Sequence, residues 1–309
     1  MHTDASDLPV SRPRRHVSVC VCTYKRPGLL ERLLESLEKQ QTGDTVTFSV
    51  VIADNDEERS AEPSARRWAA KGLFPVVYAW EPIKNIALVR NKALANATGE
   101  FVAFVDDDEF VVPHWLENLL ATLDKTDAAG VLAPVRPHFD SAPPSWLIKG
   151  RFCERTEYPT GTPQTWVNCR TGNVLFRRSI LDGTEEAFRR QFGIGGEDQD
   201  FFRRMIEKGH VFVWCNEAPA YESVPPSRWT RSFLLSRALL RGRISMRRPE
   251  GRAKLIATSF VAMPLYTLAI VGSFFVGHHL VMRNLVRFCD HLGRILTLLR
   301  INPVRERPM

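Results

Sequence analysis

Between His16 and Leu123, short apolar β-branched runs alternate with stretches whose apolar residues recur at helical spacing, and this restricts the chain to an α/β architecture. His16 to Thr23 (HVSVCVCT) reads as a strand. After Pro27, the residues Leu29, Leu30, Leu33, Leu34 and Leu37 share one helical face. Thr47 to Ala53 follows as a strand, Ala61 to Lys71 as a helix, Pro75 to Trp80 as a strand, Ile86 to Ala97 as a helix, Phe101 to Val105 as a strand and Pro113 to Leu123 as a helix. Strands separated by helices of this length predict a mainly parallel central sheet with flanking helices, whose ligands gather at the carboxyl ends of strands. From Pro134 to Gln164 the pattern weakens into Pro-rich sequence that keeps Trp146, Phe152 and Tyr158, as a long substrate-facing excursion would. Asn168 to Phe176 resumes as a strand, Glu197 to Lys208 as a helix and Val211 to Trp214 as a short strand.

The strand Phe101 to Val105 delivers Asp106, Asp107, Asp108 and Glu109 in succession, four carboxylates that repel one another unless positive charge lies among them. In an extended turn, carboxylates at i and i+2 point the same way, and hard oxygen donors with an open shell suit Mg²⁺ or Mn²⁺ bridging to a phosphate. A solvated acidic turn is the plain alternative; the place at the end of an apolar mid-sheet strand favours the cation. Three further strand-end features converge on the same region. Thr23, Tyr24 and Arg26 follow the first strand, Asp54 and Asp56 the second, and the helix before the fourth carries Arg90 and Asn91. An aromatic ring, a carboxylate and an arginine are what a nucleotide needs for its base, ribose and phosphates. No G-x-G-x-x-G follows the first strand, so a dinucleotide cofactor has no support.

Thr23-Tyr24-Lys25-Arg26, Val51-Ile52-Ala53-Asp54-Asn55, Arg90-Asn91-Lys92-Ala93-Leu94 and Gly99-Glu100-Phe101 leading into Asp106-Asp107-Asp108 resemble, in order, the signature of family 2 glycosyltransferases over roughly residues 16 to 235. The resemblance implies a GT-A fold, Rossmann-like, with a nucleotide-sugar donor. Thr23, Tyr24 and Asp54 would then contact the nucleoside, Arg26, Arg90 and Asp107 would lie about the donor, and Asp106 and Asp108 would form the D-x-D pair that binds Mg²⁺ or Mn²⁺. Glu197-Asp198, after Gly195-Gly196, matches the family's E-D motif, which makes Asp198 the general base, with Glu197 beside it, of a single inverting displacement. As sequence alone, the same acids read as an ordinary helix N-cap. Pro225-Pro226-Ser227-Arg228-Trp229 resembles the Q-x-x-R-W motif of processive members, with Pro225 in place of Gln, a departure that favours addition of one sugar. Arg228, Trp229 and Trp146 are the acceptor or diphosphate candidates, and Trp166 a further stacking surface, although aromatic residues are more often core. Glu222 to Pro226 and the Arg-rich sequence after it look most like succinoglycan-type exopolysaccharide glucosyltransferases. That implies a hexose moved from a UDP-sugar to a lipid-linked saccharide. An aspartate-nucleophile phosphohydrolase is disfavoured by the central position of the acids and by Glu109-Phe110 after them. A non-catalytic glycan-assembly or binding subunit is disfavoured by the presence of Asp106, Asp108 and Asp198.

Charge is divided sharply. Residues before Arg228 sum to −5 and those from Arg228 onward to +12, beside an uncharged run from Leu255 to Gly277. A basic tail with about 20 apolar residues points to anionic lipid rather than nucleic acid. Nine basic residues stand between Arg228 and Lys254 against Glu250 alone, which places that side in the cytoplasm. Pro264 allows a kinked, re-entrant path as an alternative to spanning. Beyond it, Arg283, Arg287, Asp290, His291 and Arg294 oppose an apolar face, the pattern of an interfacial helix. The expected organisation is a disordered segment 1–15, a catalytic domain 16–235 with a nucleotide-binding half 16–110 and an acceptor half 111–235, and a basic helical membrane-associating tail 236–309 with its apolar helix at 255–277. Attachment to the cytoplasmic face of a bacterial inner membrane and association with other envelope glycan enzymes are expected. The six cysteines form no C-x-x-C pair and read as reduced and structural.

Overall fold

The computed structural model describes residues 14–193, 195–246 and 251–301. All but the last two residues of the expected disordered segment 1–15, and the end of the tail, lie outside these. The chain runs β1 (Arg15–Thr23), α1 (Pro27–Glu38), β2 (Val46–Asp54), α2 (Glu62–Lys71), β3 (Val76–Trp80), α3 (Ile86–Ala95), β4 (Phe101–Val105), β5 (Glu109–Val111), α4 (Trp115–Thr126), β6 (Gly130–Leu132) and β7 (Val135–His138). It continues through α5 (Ser145–Lys149), β8 (Asn173–Arg177), α6 (Glu197–Glu207), β9 (Phe212–Trp214), β10 (Ala220–Ser223), α7 (Arg231–Ser245), α8 (Arg252–Ser273) and α9 (His278–Leu298).

Seven strands form the central sheet in the order β3-β2-β1-β4-β8-β6-β9, and only β8 runs antiparallel to its neighbours. This is the mainly parallel α/β sheet that the alternation predicts. Its strands are apolar on both sides because both faces are covered. In β1, Val17, Val19 and Val21 face a core closed by α1, α2 and α4, while Cys20 faces one closed by α3 and α6. Pro27 opens α1, and Asn85 caps α3 by accepting from the amides of Ala87 and Leu88 at 2.9 and 3.1 Å.

A second sheet, β5-β10-β7, is not legible in the sequence pattern. It begins immediately after β4: the chain turns tightly, with the Glu109 amide donating to the Asp106 carbonyl at 3.1 Å, and enters β5. β5 pairs antiparallel with β10, which pairs parallel with β7. The acidic run thus sits in the hinge between two sheets. The Pro-rich excursion supplies β7 and α5 and returns to the main sheet where Gln164 donates to the Phe212 carbonyl at 2.8 Å.

The last three helices form a layer against this body. α7 runs across residue 235 without interruption. α8 is a continuous helix with Pro264 inside it, and it ends at Ser273, so residues 274–277 form a turn where the sequence reads helix. α9 then returns antiparallel along α8. Asn284 donates to Ser273 Oγ at 2.7 Å, and His291 meets Ser259 Oγ at 3.0 Å. On its other side α9 packs on α7, where Arg241 makes a two-pronged ion pair with Asp290 at 3.0 Å for both bonds.

Candidate active site

The hinge turn carries Asp106 to Asp108 into a cavity of ≈ 470 Å³ at the carboxyl ends of β1 and β4. Each carboxylate meets a different set of groups. Asp107 is buried: Thr23 donates its hydroxyl to Oδ2 at 2.8 Å and Arg26 donates to Oδ1 at 3.0 Å. Burial pushes the Asp107 carboxyl up to about 7, against the pull of Arg26. Asp108 accepts from Arg228 at 2.8 Å and Arg26 at 3.3 Å through the same oxygen, while its carbonyl accepts from the Ser223 amide at 2.8 Å. Asp106 has its side chain 43% exposed and lies 3.7 Å from Arg90.

Arg90 itself is buried and pairs closely with Glu197, the first residue of α6. One guanidinium therefore ties the start of α6 to the acid turn after β4. Glu197 Oε2 remains buried and unpartnered among the described residues. So does Glu109 Oε1, next to Asp106. Burial first, then Asp106, raises the Glu109 carboxyl well above its ordinary value. Gly172 leaves room for this pair: a Cβ there would lie 3.0 Å from Glu109 Oε1 and 3.1 Å from Asp106 Oδ2.

Beside the carboxyl end of β1, the half-buried Tyr24 ring lines the cavity with Lys84 Nζ 4.3 Å from its centroid. Asp54 does not open into it. Its two oxygens accept from the amides of Asp56 and Ala61, at 3.0 and 2.8 Å, and from the Tyr78 hydroxyl at 3.1 Å, so it braces the loop after β2. The neighbouring Asn55 is the one that reaches the cavity. Cys22 also lines the wall, and burial pushes its thiol up to about 12, which keeps it protonated. All six cysteines are free.

Several sequence-predicted residues are placed elsewhere. Asp198 lies outside the cavity lining; it accepts from the Gln199 amide at 2.7 Å, has a side chain 17% exposed, and stands 3.9 Å from Arg170. Trp146 packs edge-on against Phe152 and His278, and Trp229 against Phe139, within one apolar cluster beneath the tail helices. Trp166 packs against the core between the sheet and α6. Arg228, by contrast, enters the cavity.

Three charged cavity residues were not among the site candidates read from the sequence: Arg155 from the excursion, Glu222 from β10 and Arg237 from α7. Glu222 accepts from Arg155 and from Arg228, both at 2.6 Å. Burial would raise its carboxyl, but Arg155, Arg228 and Arg237 together hold it below the usual range. Burial, aided by Arg228 and Arg155, lowers the Arg237 pKa. The cavity is thus an alternation of carboxylates and guanidiniums, with arginines arriving from four separate parts of the chain.

The residues present fit a divalent cation. Asp106 offers a hard oxygen donor open to the cavity, Asp108 lies two residues on, and the orphaned Glu109 oxygen marks uncompensated negative charge beside them. Among the described residues no three His, Cys, Asp or Glu side chains form a metal-binding group, so the protein donors do not close a shell by themselves. A cation at Asp108 competes with Arg26 and Arg228.

Residues 18–184 match the sequence profile described as Glycosyl transferase family 2. The chain is 37% identical over 229 residues to the succinoglycan biosynthesis protein ExoM of Rhizobium meliloti (strain 1021), spanning 74% of this chain and 73% of that protein. In fold it is similar to the mannosyltransferase PcManGT from Pyrobaculum calidifontis in complex with GDP-Man and Mn²⁺, with a TM-score of 0.62 and 18% identity over 92% of this chain and 88% of that one. It is also similar to S. aureus TarS 1-349 in complex with UDP, with a TM-score of 0.51 and 17% identity over 93% of each chain. A doubly covered, mainly parallel sheet with an acid turn at the end of its fourth strand, together with these matches, makes the chain a GT-A glycosyltransferase that belongs to glycosyl transferase family 2.

Proposed function

We propose that this chain moves a hexose, with inversion, from a UDP-sugar to a lipid-linked saccharide in exopolysaccharide or related envelope glycan synthesis at the cytoplasmic face of a bacterial inner membrane. The observation that carries the reading is the convergence of Tyr24, Arg26, Arg90 and Asp106 to Asp108 on one cavity whose far wall belongs to α7, the helix packed on α9. The similarity to ExoM, a succinoglycan biosynthesis protein, supports the glycan class.

In this reading Tyr24 stacks on the base, Thr23 and Asn55 border the nucleoside, and Arg26, Arg90 and Arg228 face the diphosphate. Asp54 acts by holding the loop that presents Asn55. Asp106 and Asp108 would hold Mg²⁺ or Mn²⁺, which when bound would neutralise charge on the leaving diphosphate. Of the two acids that open α6, Glu197 is committed to Arg90, and Asp198 keeps a partly exposed carboxylate. Asp198, the acid of the E-D motif in the resemblance, would take the proton of an acceptor hydroxyl brought to the start of α6. That oxygen bonds to the anomeric carbon from one face while the bond to the diphosphate breaks on the other, its electron pair leaving with the nucleoside diphosphate.

Membrane attachment rests on α8, which is long and apolar enough to cross a bilayer yet has only 6% of its most apolar stretch buried. Phe260, Val261, Leu265 and Leu268 are all more than 60% exposed. α8 packs along α9, and α9 along α7, which forms the cavity wall. To span roughly 30 Å of hydrocarbon, α8 would carry Arg283, Arg287 and Arg294 of α9 into the bilayer with it. An in-plane position, with the outer face of α8 in lipid and α9 above it, avoids that cost.

The test is nucleoside diphosphate release from a panel of sugar donors by the full chain in detergent with Mg²⁺ or Mn²⁺ and extracted membrane lipid. UDP release from one UDP-hexose, dependent on metal and on lipid extract, is expected. No metal-dependent release from any donor would convert the reading to a non-catalytic binding subunit.

A further inference from the structure

Next to the catalytic cavity lies a second, larger cleft of ≈ 1000 Å³ between the excursion and the tail helices. Six arginines line it, Arg136, Arg151, Arg155, Arg241, Arg283 and Arg287, against three carboxylates. The carboxylates are already taken: Glu157 pairs with Arg136, Glu154 with Arg151 and Asp290 with Arg241. Arg155 pairs outside the cleft, with Glu222 in the catalytic cavity. Arg283 and Arg287, one turn apart on α9, are exposed and have no ion-pair or hydrogen-bond partner among the described residues.

Placement gives this charge a direction. The face of α9 that carries Arg283 and Arg287 looks into the cleft, while Asn284 and His291 on another face hold α8. The cleft therefore lies one helix away from the surface that meets lipid. At its other end it meets the transfer site, because Arg155 lines both spaces. Unpaired guanidiniums in a concave site recognise phosphate oxygens by paired N–H donors.

Building on the lipid-linked acceptor reading, we propose that this cleft binds the diphosphate of the acceptor lipid through Arg283 and Arg287, so that the lipid chain stays at α8 while the glycan reaches past Arg155 into the catalytic cavity. The same guanidiniums would also attract an anionic phospholipid headgroup, and the two sources separate in experiment.

The probe is farnesyl diphosphate in detergent micelles, titrated onto the full chain with UDP saturating so that the donor site is filled. Farnesol, inorganic pyrophosphate and phosphatidylglycerol vesicles are the comparison arms. Wild type is expected to bind farnesyl diphosphate at least tenfold tighter than farnesol, and the double variant Arg283→Gln/Arg287→Gln to lose at least tenfold of that affinity. Binding to phosphatidylglycerol vesicles should change less than threefold, since α8 carries it. An unchanged thermal midpoint and UDP affinity report that the variant is folded. Equal farnesyl diphosphate affinity in both proteins overturns the inference, and so does an equal loss on phosphatidylglycerol vesicles, which marks a general anionic surface. In the transfer assay, glycan transfer to extracted lipid with the same KM in both proteins sinks the inference and leaves the lipid-acceptor reading standing. Transfer only to water-soluble glycan removes that reading and the inference with it.

Discussion

Asp107→Asn should stabilise the protein at alkaline pH and not at acid pH. Asp107 is buried between Thr23 and Arg26, and its carboxyl is raised from an ordinary 3.8 to about 7. The folded chain thus holds this proton more tightly than the unfolded one. The stability gained from protonated Asp107 is complete below pH 3.8 and is lost as pH rises through 7. At about 1.4 kcal/mol for each pH unit between the two values, the loss totals roughly 4 kcal/mol, of which roughly 3 kcal/mol falls between pH 5 and pH 8. Asparagine keeps the size of the side chain and an oxygen for the Thr23 hydroxyl but never ionises. The assay is urea unfolding of both proteins followed by tryptophan fluorescence, in detergent with EDTA, at each pH from 5 to 8. Taking the difference between the proteins removes from the comparison the titrating groups distant from Asp107. The variant should gain roughly 3 kcal/mol on wild type across this range. A difference that stays constant within about 0.5 kcal/mol, the usual error of such comparisons, refutes the account of Asp107 as a carboxylate ionised against its surroundings.

Arg90→Gln leaves Glu197 buried without its counter-charge, so a loss of about 3 kcal/mol in unfolding free energy is expected; a thermal midpoint equal to wild type would contradict the pairing. Gly172→Ala drives a methyl group against the Glu109 and Asp106 carboxylates, and should weaken Mn²⁺-dependent donor binding severalfold in calorimetry while metal-free UDP binding holds. Asp198→Asn should lower kcat by ~10² or more and leave donor affinity nearly unchanged, and near-normal turnover would remove Asp198 as the base.

The first half of the fold was legible because it is written locally. In β1 to β4 and the helices between them, strand length, apolar runs and helical spacing all lie within windows of ten residues, and the Asp106 to Asp108 run is contiguous. The β5-β10-β7 sheet was not, because its strands are three or four residues long and read EFV, VRPH and AYES, with charges and a proline in place of an apolar pattern. Their pairing joins residues more than eighty positions apart. The same holds for the site. Thr23, Arg26, Arg90 and Arg228 came from motifs that keep their spacing, whereas Arg155, Glu222 and Arg237 meet only through that second sheet and α7. Asp54 differs in kind: a carboxylate at a strand end reads equally well as serving a ligand or its own loop, and in the structure its oxygens accept from the amides of Asp56 and Ala61. For Trp146 and Trp229 the apolar cluster under α9 decided for packing.

That cluster changes what the tail is. A catalytic domain ending at 235 with a tether after it would let the tail be exchanged for any other anchor. Yet α7 crosses that position, and its Phe233, Ser236, Arg237 and Leu240 are walls of the cavity that holds Asp106 to Asp108. The opposite face of α7 is fitted to α9 at backbone distance: a Cβ on Gly242 would lie 2.1 Å from the Asp290 carbonyl oxygen, and one on Gly293 2.3 Å from that of Leu239. Two helices that approach this closely transmit displacement to one another. A membrane that fixes α8 therefore fixes α9, and through it α7, the cavity wall and the lie of Arg237 beside Glu222. With α8 as the proposed anchor, the orientation of the proposed transfer site toward lipid is set by packing within the chain, and replacing α8 and α9 by a foreign anchor should cost activity even where the protein still reaches the membrane.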